Sequence, residues 1–406
     1  MTTVYCGATK QPMNTARLRL LLAITTLLAA VALLGGLAAC SGTPVAEATP
    51  TPTRTPHPVA TLPPTATPTP ALPTATPTPA VTATPTPLPE NVNPLTGEVV
   101  SDPGLLDRVP VAIKISNWPG QYVRPQAGLN SADIVYEHYN EGWFATRFTA
   151  IYLDSDPARV GPVRSGRLID LELPAIYHAP LAAWGFSDGV VELVRNSDLY
   201  PNWIASYSLP ENLSPDPFYR DFTRDVPLEH TGYTDPGRVR AWAAAHGISG
   251  RQDLRGMVFS TEAPPGGTPA TRIFIPWRSM DAEWRYDAAN GRYLRWTDGA
   301  PHTDALDGSQ ISAANVVILY VPQWDTDIIE EPHSGALSIQ FALWYSNRAI
   351  ICRDGQRFDA FWQRWERNDM LTLTDEQGTP IPLQVGNTWF EVVPTGEREI
   401  AITVGP

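Results

Sequence analysis

The sequence predicts an α+β protein: a mixed α/β N-terminal domain followed by a β-rich C-terminal domain. Three observations carry this prediction. Nearly all aromatic residues lie after a long Pro/Thr tract, so the folded body begins near residue 91. Up to about residue 255, strand-like runs alternate with helix signals. From residue 256 onward, short apolar runs recur between Asp-Gly, Asn-Gly and Gly-Asn pairs, the punctuation of a strand-and-turn architecture.

The elements follow in chain order. VAIKIS (111–116), ADIVYEHY (132–139) and TRFTAIYLD (146–154) read as strands, by apolar alternation or as buried runs. RSGRLIDLEL, from 164, reads as a helix entered through a Gly-Pro turn, with Arg164 and Arg167 one turn apart. DPGRVRAWAAAH (235–246) is the clearest helix: Asp235 caps it, Pro236 suits its first turn and Gly247 stops it. In the second half ATRIFIPW, GRYLRWTDG, ANVVILYVP, ALSIQFALWY, AIICRDGQ and TWFEVVP read as strands of a sandwich or open barrel. FDAFWQRWERND (358–369) reads as a helical insertion, because Phe358, Phe361, Trp362 and Trp365 form a stripe at helical spacing that packs into the core.

Residues 1–39 have the parts of a secretory signal: Arg17 and Arg19, then a 20-residue uncharged apolar run, then small residues before Cys40. Leu37-Ala38-Ala39-Cys40 resembles the lipobox of bacterial lipoproteins, which implies lipidation of Cys40; the competing reading is an uncleaved transmembrane helix. Met13 also offers a start, in which case Cys6 is never made. Residues 40–90 then form a lipidated cysteine and a Pro/Thr-rich stalk, too poor in large apolar residues to bury a core. Cys352 is left without a partner in the chain, so the body, 91–255 and 256–406, holds by packing alone. Both readings of the N-terminus place that body outside the membrane, in an extracytoplasmic location.

The formal charge is -13, and removal of residues 1–39, with three basic and no acidic groups, leaves 26 basic against 42 acidic residues, or -16. Such a balance excludes general nucleic-acid binding and adhesion to anionic lipid, so any anion site must be local. Of the 29 cations only two are lysines, Lys10 and Lys114. Lys114, inside VAIKIS, supplies a compact ammonium where the rest of the chain uses guanidinium forks; the alternative is a snorkelling strand residue.

NPLTGE (93–98), VAIKISNWP (111–119), RPQAGLNSADIVYE (124–137), TRFTAIYLDSD (146–156) and GPVRSGRLID (161–170) together resemble the N-terminal domain of the YerB-like lipoproteins, domain of unknown function 3048. YLRWTDGAPHTD, NVVILYV and GTPIPLQVGNTWFEVVP resemble the same family's C-terminal domain. The resemblance implies an exported, membrane-tethered, two-domain bacterial protein and supplies no reaction. Two departures stand out: Gly166 where the family usually has alanine, and the acidic stretch PQWDTDIIEEPHSG (322–335) where a glycine-rich segment is more usual.

The candidate site lies in residues 111–170. Arg164 and Arg167, supported by Arg147 and Lys114, present donors suited to phosphate or carboxylate, with Asp170 and Glu137 as neighbouring carboxylates. The leading expectation is binding of an anionic cell-envelope ligand or a partner protein, with no cofactor. The bland alternative pairs these arginines with Asp170, Glu172, Glu137 or Glu141 in salt bridges of little weight. A second alternative is a metal-assisted enzyme on phosphate-bearing precursors, with Mg²⁺ held among Asp133, Glu137, Glu141, Asp154, Asp156 and Asp170. A third is a glycan-binding wall protein, whose tryptophans, as in IPWRSMDAEWRYD and YLRWTDG, stack on sugars or else fill a β core. No nucleophile elbow, His-Glu-x-x-His, P-loop or zinc-spaced Cys/His cluster occurs, and His230 reads as an acid/base group or a loop hydrogen-bonder, with His178 and His302 lacking evident partners.

Overall fold

The computed structural model describes residues 89–406; the signal segment, Cys40 and nearly all of the stalk lie outside the described residues. The chain forms β1 (Val111–Ser116), β2 (Ile134–Tyr139), β3 (Thr146–Tyr152), β4 (Leu181–Ala182) and β5 (Ile204–Ala205) in its first half. The second half adds β6 (Arg272–Trp277), β7 (Met280–Asp287), β8 (Arg292–Thr297), β9 (Asn315–Val321), β10 (Gln323–Glu331), β11 (Ala336–Phe341), β12 (Tyr345–Arg353), β13 (Gln356–Arg364), β14 (Thr372–Thr374), β15 (Thr388–Pro394) and β16 (Thr403–Gly405). Helices are few and short: α1 (Leu173–Tyr177), α2 (Asp188–Arg195) and α3 (Pro236–Ala245) are the longer ones of the first half. The architecture is therefore mixed but strongly β-dominated.

One large sheet, ordered β14-β13-β12-β9-β15-β2-β3-β1-β4-β5, takes strands from both halves. Parallel β9 and β15 sit at its centre, and β15 also runs parallel to β2, so the two halves expected as separate domains share one hydrogen-bonded sheet. NVVILYV and TWFEVVP are buried along their whole length, as continuous apolar runs between two covered faces must be. A second sheet contains β8, β7, β6 and β16 in that order. It covers one face of the large sheet, where Trp284 of β7 meets Trp389 of β15 edge to face at 5.1 Å. Across the other face lie the 3₁₀ turn Leu168–Leu171 and the hairpin β10–β11.

Several expectations hold: β1, β2, β3 and the second-half strands form where the pattern places them. Helix α3 forms as well, with the Asp235 side chain accepting from Arg238 N at 2.9 Å and Gly247 at φ 80 beyond its end. Two are corrected. FDAFWQRWERND carries no helix; its first part belongs to β13, with Phe358, Ala360, Trp362 and Arg364 inward at period two and Trp365 62% exposed. The reason is the turn before it: Asp354 (φ 51) and Gly355 (φ 70) make a two-residue left-handed hairpin that pairs Arg353 with Gln356 and fixes the register. Nor do Arg164 and Arg167 lie on a helix. The segment 162–167 is extended, because neighbours on both sides supply its backbone partners: Arg164 N donates to Lys114 O, and Trp184 N donates to Arg164 O. Arg167 (φ -138, ψ 176) only caps the 3₁₀ turn that follows.

Candidate functional site

Because β1, β2 and β3 are buried on both faces, each polar side chain on them must find its partners inside the protein. Register decides which meet. Lys114 pairs with Thr149, Thr149 with Tyr136, and Arg147 with His138, so Lys114, Thr149, His138 and Arg147 project to one face. Glu137 projects to the other.

Lys114 is fully enclosed. Its ammonium reaches Asp170 Oδ2 at 2.7 Å, His138 Nε2 at 2.7 Å and Thr149 Oγ1 at 3.0 Å, which uses all three of its protons. The His138 Nδ1 lies 2.8 Å from the Tyr139 carbonyl, which can only accept, so Nδ1 carries the proton and Nε2 accepts from Lys114. Asp170 also accepts from Thr149 Oγ1 at 2.9 Å and from Arg167 N at 2.7 Å. Burial lowers the Lys114 pKa to about 8 against the opposing pull of Asp170. Burial and the adjacent ammonium push His138 well below the usual histidine range, so it is neutral. A guanidinium fork cannot place three donors around so small a point, which accounts for the lone lysine of the body.

One layer outward, Arg147 and Arg167 grip Glu141. Arg167 Nε donates to Glu141 Oε2 at 2.6 Å, and Arg147 Nη2 lies 3.4 Å from Oε1. Each arginine also donates to a backbone carbonyl, Arg147 to Ser165 O at 2.6 Å and Arg167 to Gly166 O at 2.7 Å. Although burial acts to raise it, the two guanidiniums hold the Glu141 carboxyl far below the usual carboxylate range. Burial and neighbouring Arg167 press the Arg147 pKa down, but a guanidinium remains charged at neutral pH. Glu141 stands in the turn Glu141–Trp143, where Gly142 (φ 65) and Trp143 (φ 58) are consecutive left-handed residues. A second carboxylate, Glu330 of β10, comes within 3.7 Å of Arg167 Nη1.

Arg164 forms the rim. It is half-buried, donates from Nη1 to Glu229 O at 3.0 Å, and has no carboxylate within 4.0 Å among the described residues. Its Nε and the Nδ1 of neighbouring His230 are enclosed without a hydrogen-bond partner. His230 stacks on Tyr122 with ring centroids 5.4 Å apart, and burial together with Arg164 lowers its pKa. Of the four cations expected to bind, the structure brings all into one cluster and, among the described residues, leaves only Arg164 without a carboxylate within 4.0 Å.

Glu137 is not part of this cluster. On the opposite face it pairs with the fully buried Arg295, which in turn donates to His302 Nδ1 at 2.7 Å, while His302 Nε2 donates to Gln126 Oε1 at 2.7 Å. Glu391, opposite Glu137 across β2 and β15, has its pKa raised by burial and by Glu137, and accepts from Trp284 Nε1 at 2.8 Å. The carboxylates expected around Mg²⁺ disperse: Asp156 pairs with Arg108 and Arg240, and Asp170 with Lys114. Asp133 accepts from Asn93 Nδ2 and Leu153 N, with burial and Asp154 raising its pKa to about 7. Among the described residues no three His, Cys, Asp or Glu side chains converge. The tryptophans of IPWRSMDAEWRYD, Trp277 and Trp284, are core, and Trp296 lies under Arg285 at 4.3 Å.

His138, Thr149 and Glu330 are the members of the cluster that residue types alone did not single out. Alternation with Lys114 across a strand pair would have flagged the first two; Glu330 lies 160 residues or more from the rest and gives no such signal.

Residues 95–249 match the family model described as "Protein of unknown function (DUF3048) N-terminal domain", and residues 273–390 match its C-terminal domain. The chain belongs to the DUF3048 family. The protein YerB of Bacillus subtilis (strain 168), named as a lipoprotein, is 25% identical over 306 residues, 74% of this chain and 86% of its own length. The crystal structure of YerB superposes with a TM-score of 0.62 at 24% identity, covering 77% of this chain and 99% of that one, which shows the DUF3048 fold to be shared. Arg147, Arg164, Arg167 and Lys114 all fall in the N-terminal DUF3048 match, whereas Glu330 falls in the C-terminal one.

Proposed function

We propose that the protein is an extracytoplasmic lipoprotein, tethered to the membrane through Cys40 and its Pro/Thr-rich stalk, that binds an anionic cell-envelope ligand at the Arg164 rim of the buried arginine cluster. The lipoprotein part is supported by the lipobox-like Leu37-Ala38-Ala39-Cys40 and by the name of the B. subtilis relative. No helix among the described residues is long and apolar enough to cross a membrane. The binding part is carried by one observation: Arg164 alone of the four cations lacks a carboxylate, and its Nε and the His230 Nδ1 have no partner. An enclosed donor without a partner, as Arg164 Nε is, costs about 1–3 kcal/mol, a cost that an incoming oxyanion removes. No observation favours a metal-assisted reaction, since the carboxylates it needs do not converge among the described residues.

The test is thermal unfolding of the full-length chain against inorganic phosphate and a muramyl peptide. Ligand at 100 times its Kd stabilises the folded state by about 2.7 kcal/mol. Arg164→Ala is expected to abolish that shift while leaving the unliganded midpoint nearly unchanged. A shift that survives Arg164→Ala, or no shift with either probe, overturns the reading.

A further inference from the structure

The hairpin β10–β11 has features that a merely structural ribbon does not need. It is a two-stranded sheet of its own, with no backbone ladder to either larger sheet although Gln323 Nε2 donates to Val392 O of β15 at 3.4 Å, and follows β9 directly while preceding β12. It can therefore lift as a unit without breaking a ladder. Its attachments are side-chain contacts: Trp143 Nε1 and Arg398 Nη2 each donate to Asp325 at 2.6 Å, Phe341 meets His138 edge to face at 5.5 Å, Ile328 lies over Gly189 so closely that a Cβ there would approach to 2.7 Å, and Ile339 and Phe341 pack into the core. The strand register shifts between Asp325 and Ile329 and again before Glu331, the kind of irregularity that re-aims a side chain.

The re-aimed side chain is Glu330, whose carboxylate is 1% exposed. Its Oε1 accepts from Ser338 Oγ of the same hairpin at 2.9 Å. Its Oε2 has no hydrogen-bond partner, although Arg167 Nη1 is only 3.7 Å away. Glu141 shows the contrast, with a direct 2.6 Å bond to the same guanidinium. Charge counting sharpens the point. Lys114 pairs with Asp170, Glu141 and Glu330 face Arg147 and Arg167, and Arg164 has no carboxylate within 4.0 Å among the described residues, Glu229 acting on it from farther off. Withdrawal of Glu330 leaves Arg147, Arg164 and Arg167 with one carboxylate, Glu141, within 4.0 Å of any of them among the described residues, a surplus of guanidinium suited to an oxyanion.

We propose that the hairpin β10–β11 is a lid over an oxyanion site built by Arg147 and Arg167, and that Glu330 occupies this site until a phosphate or carboxylate group displaces it. This deepens the anion-binding reading and rests on it: the ligand enters past Arg164, and the lid sets how much of the protein is competent to bind. A lid that is closed most of the time weakens the observed affinity by the fraction that is open. Removing the occupying charge, or loosening the lid's anchor, must then tighten binding.

The experiment is titration calorimetry of inorganic phosphate, and separately of acetate, into the full-length chain and its variants. Glu330→Gln keeps the shape and the Ser338 bond but removes the charge, and is expected to bind phosphate at least about tenfold tighter. Asp325→Asn, which weakens the anchor without touching the site, is expected to shift affinity in the same direction. Phosphate is also expected to speed amide exchange in residues 326–331 as the hairpin lifts, where an ordinary stabilising ligand slows it. Phosphate tighter than acetate identifies a phosphate site; the reverse identifies a carboxylate site. If wild type binds phosphate through Arg164 but Glu330→Gln and Asp325→Asn bind no tighter, the lid is overturned and the binding reading stands. If no variant binds either anion, the oxyanion site itself is overturned.

Discussion

Glu141 holds two buried guanidiniums together, so Glu141→Gln is the most direct probe of the cluster. The Arg167 Nε bond at 2.6 Å is short and charge-assisted, and losing it costs about 1.5–3 kcal/mol. The Arg147 contact at 3.4 Å adds less than about 1 kcal/mol. The expected destabilisation is therefore roughly 2–4 kcal/mol, somewhat below the 3–5 kcal/mol typical of a fully buried broken pair, because the Glu141 side chain keeps 18% exposure. The sign of the pH dependence follows from the depressed carboxyl. Its folded pKa lies far below the unfolded value of 4.5, so its stabilisation is complete above pH 4.5 and is lost as pH falls. Urea unfolding of both proteins at pH 7 and at pH 3.5 measures it. The gap between wild type and Glu141→Gln is expected to narrow below pH 4.5 by at most about 1.4 kcal/mol per pH unit. A gap under about 0.5 kcal/mol at pH 7, set against the predicted cost, or one that stays constant down to pH 3.5, refutes the reasoning.

Two further predictions address the interior. For Lys114 the folded pKa of about 8 lies below the ordinary 10.5, so between these values the unfolded chain binds more protons and this group's contribution to stability rises with pH. The stability gap between wild type and Lys114→Met is thus expected to widen from pH 8 toward pH 10 by up to about 1.4 kcal/mol per unit; a gap that is flat from pH 7.5 to 9.5 argues against it. Cys352, whose thiol burial pushes up to about 12, acts in the opposite direction in both proteins and cancels from the comparison. For Gly166, an added Cβ would stand 2.1 Å from Phe186 Cε1, so Gly166→Ala is expected to cost about 1–3 kcal/mol. Phe186→Leu should relieve most of it; an alanine that is neutral in the wild-type background would show that Phe186 moves freely.

That close approach also explains a departure visible in the sequence. Gly166 lies where an extended segment passes against Phe186, something no residue count along GPVRSGRLID reveals. The strands were more legible, because their signals are local: VAIKIS and TRFTAIYLD carry their own apolar patterns, and Asp354-Gly355 carries its own turn. The helical stripe of FDAFWQRWERND failed because two of its four aromatics, Phe358 and Trp362, are four residues apart and so fit one face of a strand as well as of a helix, and the turn before it arbitrates.

What the sequence by itself determined is therefore the family, the strand-forming segments, the α3 helix and the membership of Lys114, Arg147, Arg164, Arg167 and Asp170 in a single polar region. Each of these depends on residues near one another in the chain. What only the tertiary structure decided is which charges cancel. The pleat sends Glu137 to the opposite face from Lys114, one residue of register deciding it, and a hairpin far along the chain brings Glu330 to Arg167. Pairing across a sheet depends on strand order and register, which are properties of the whole fold, so the one arginine of the cluster left without a carboxylate could be identified only after the others had found theirs.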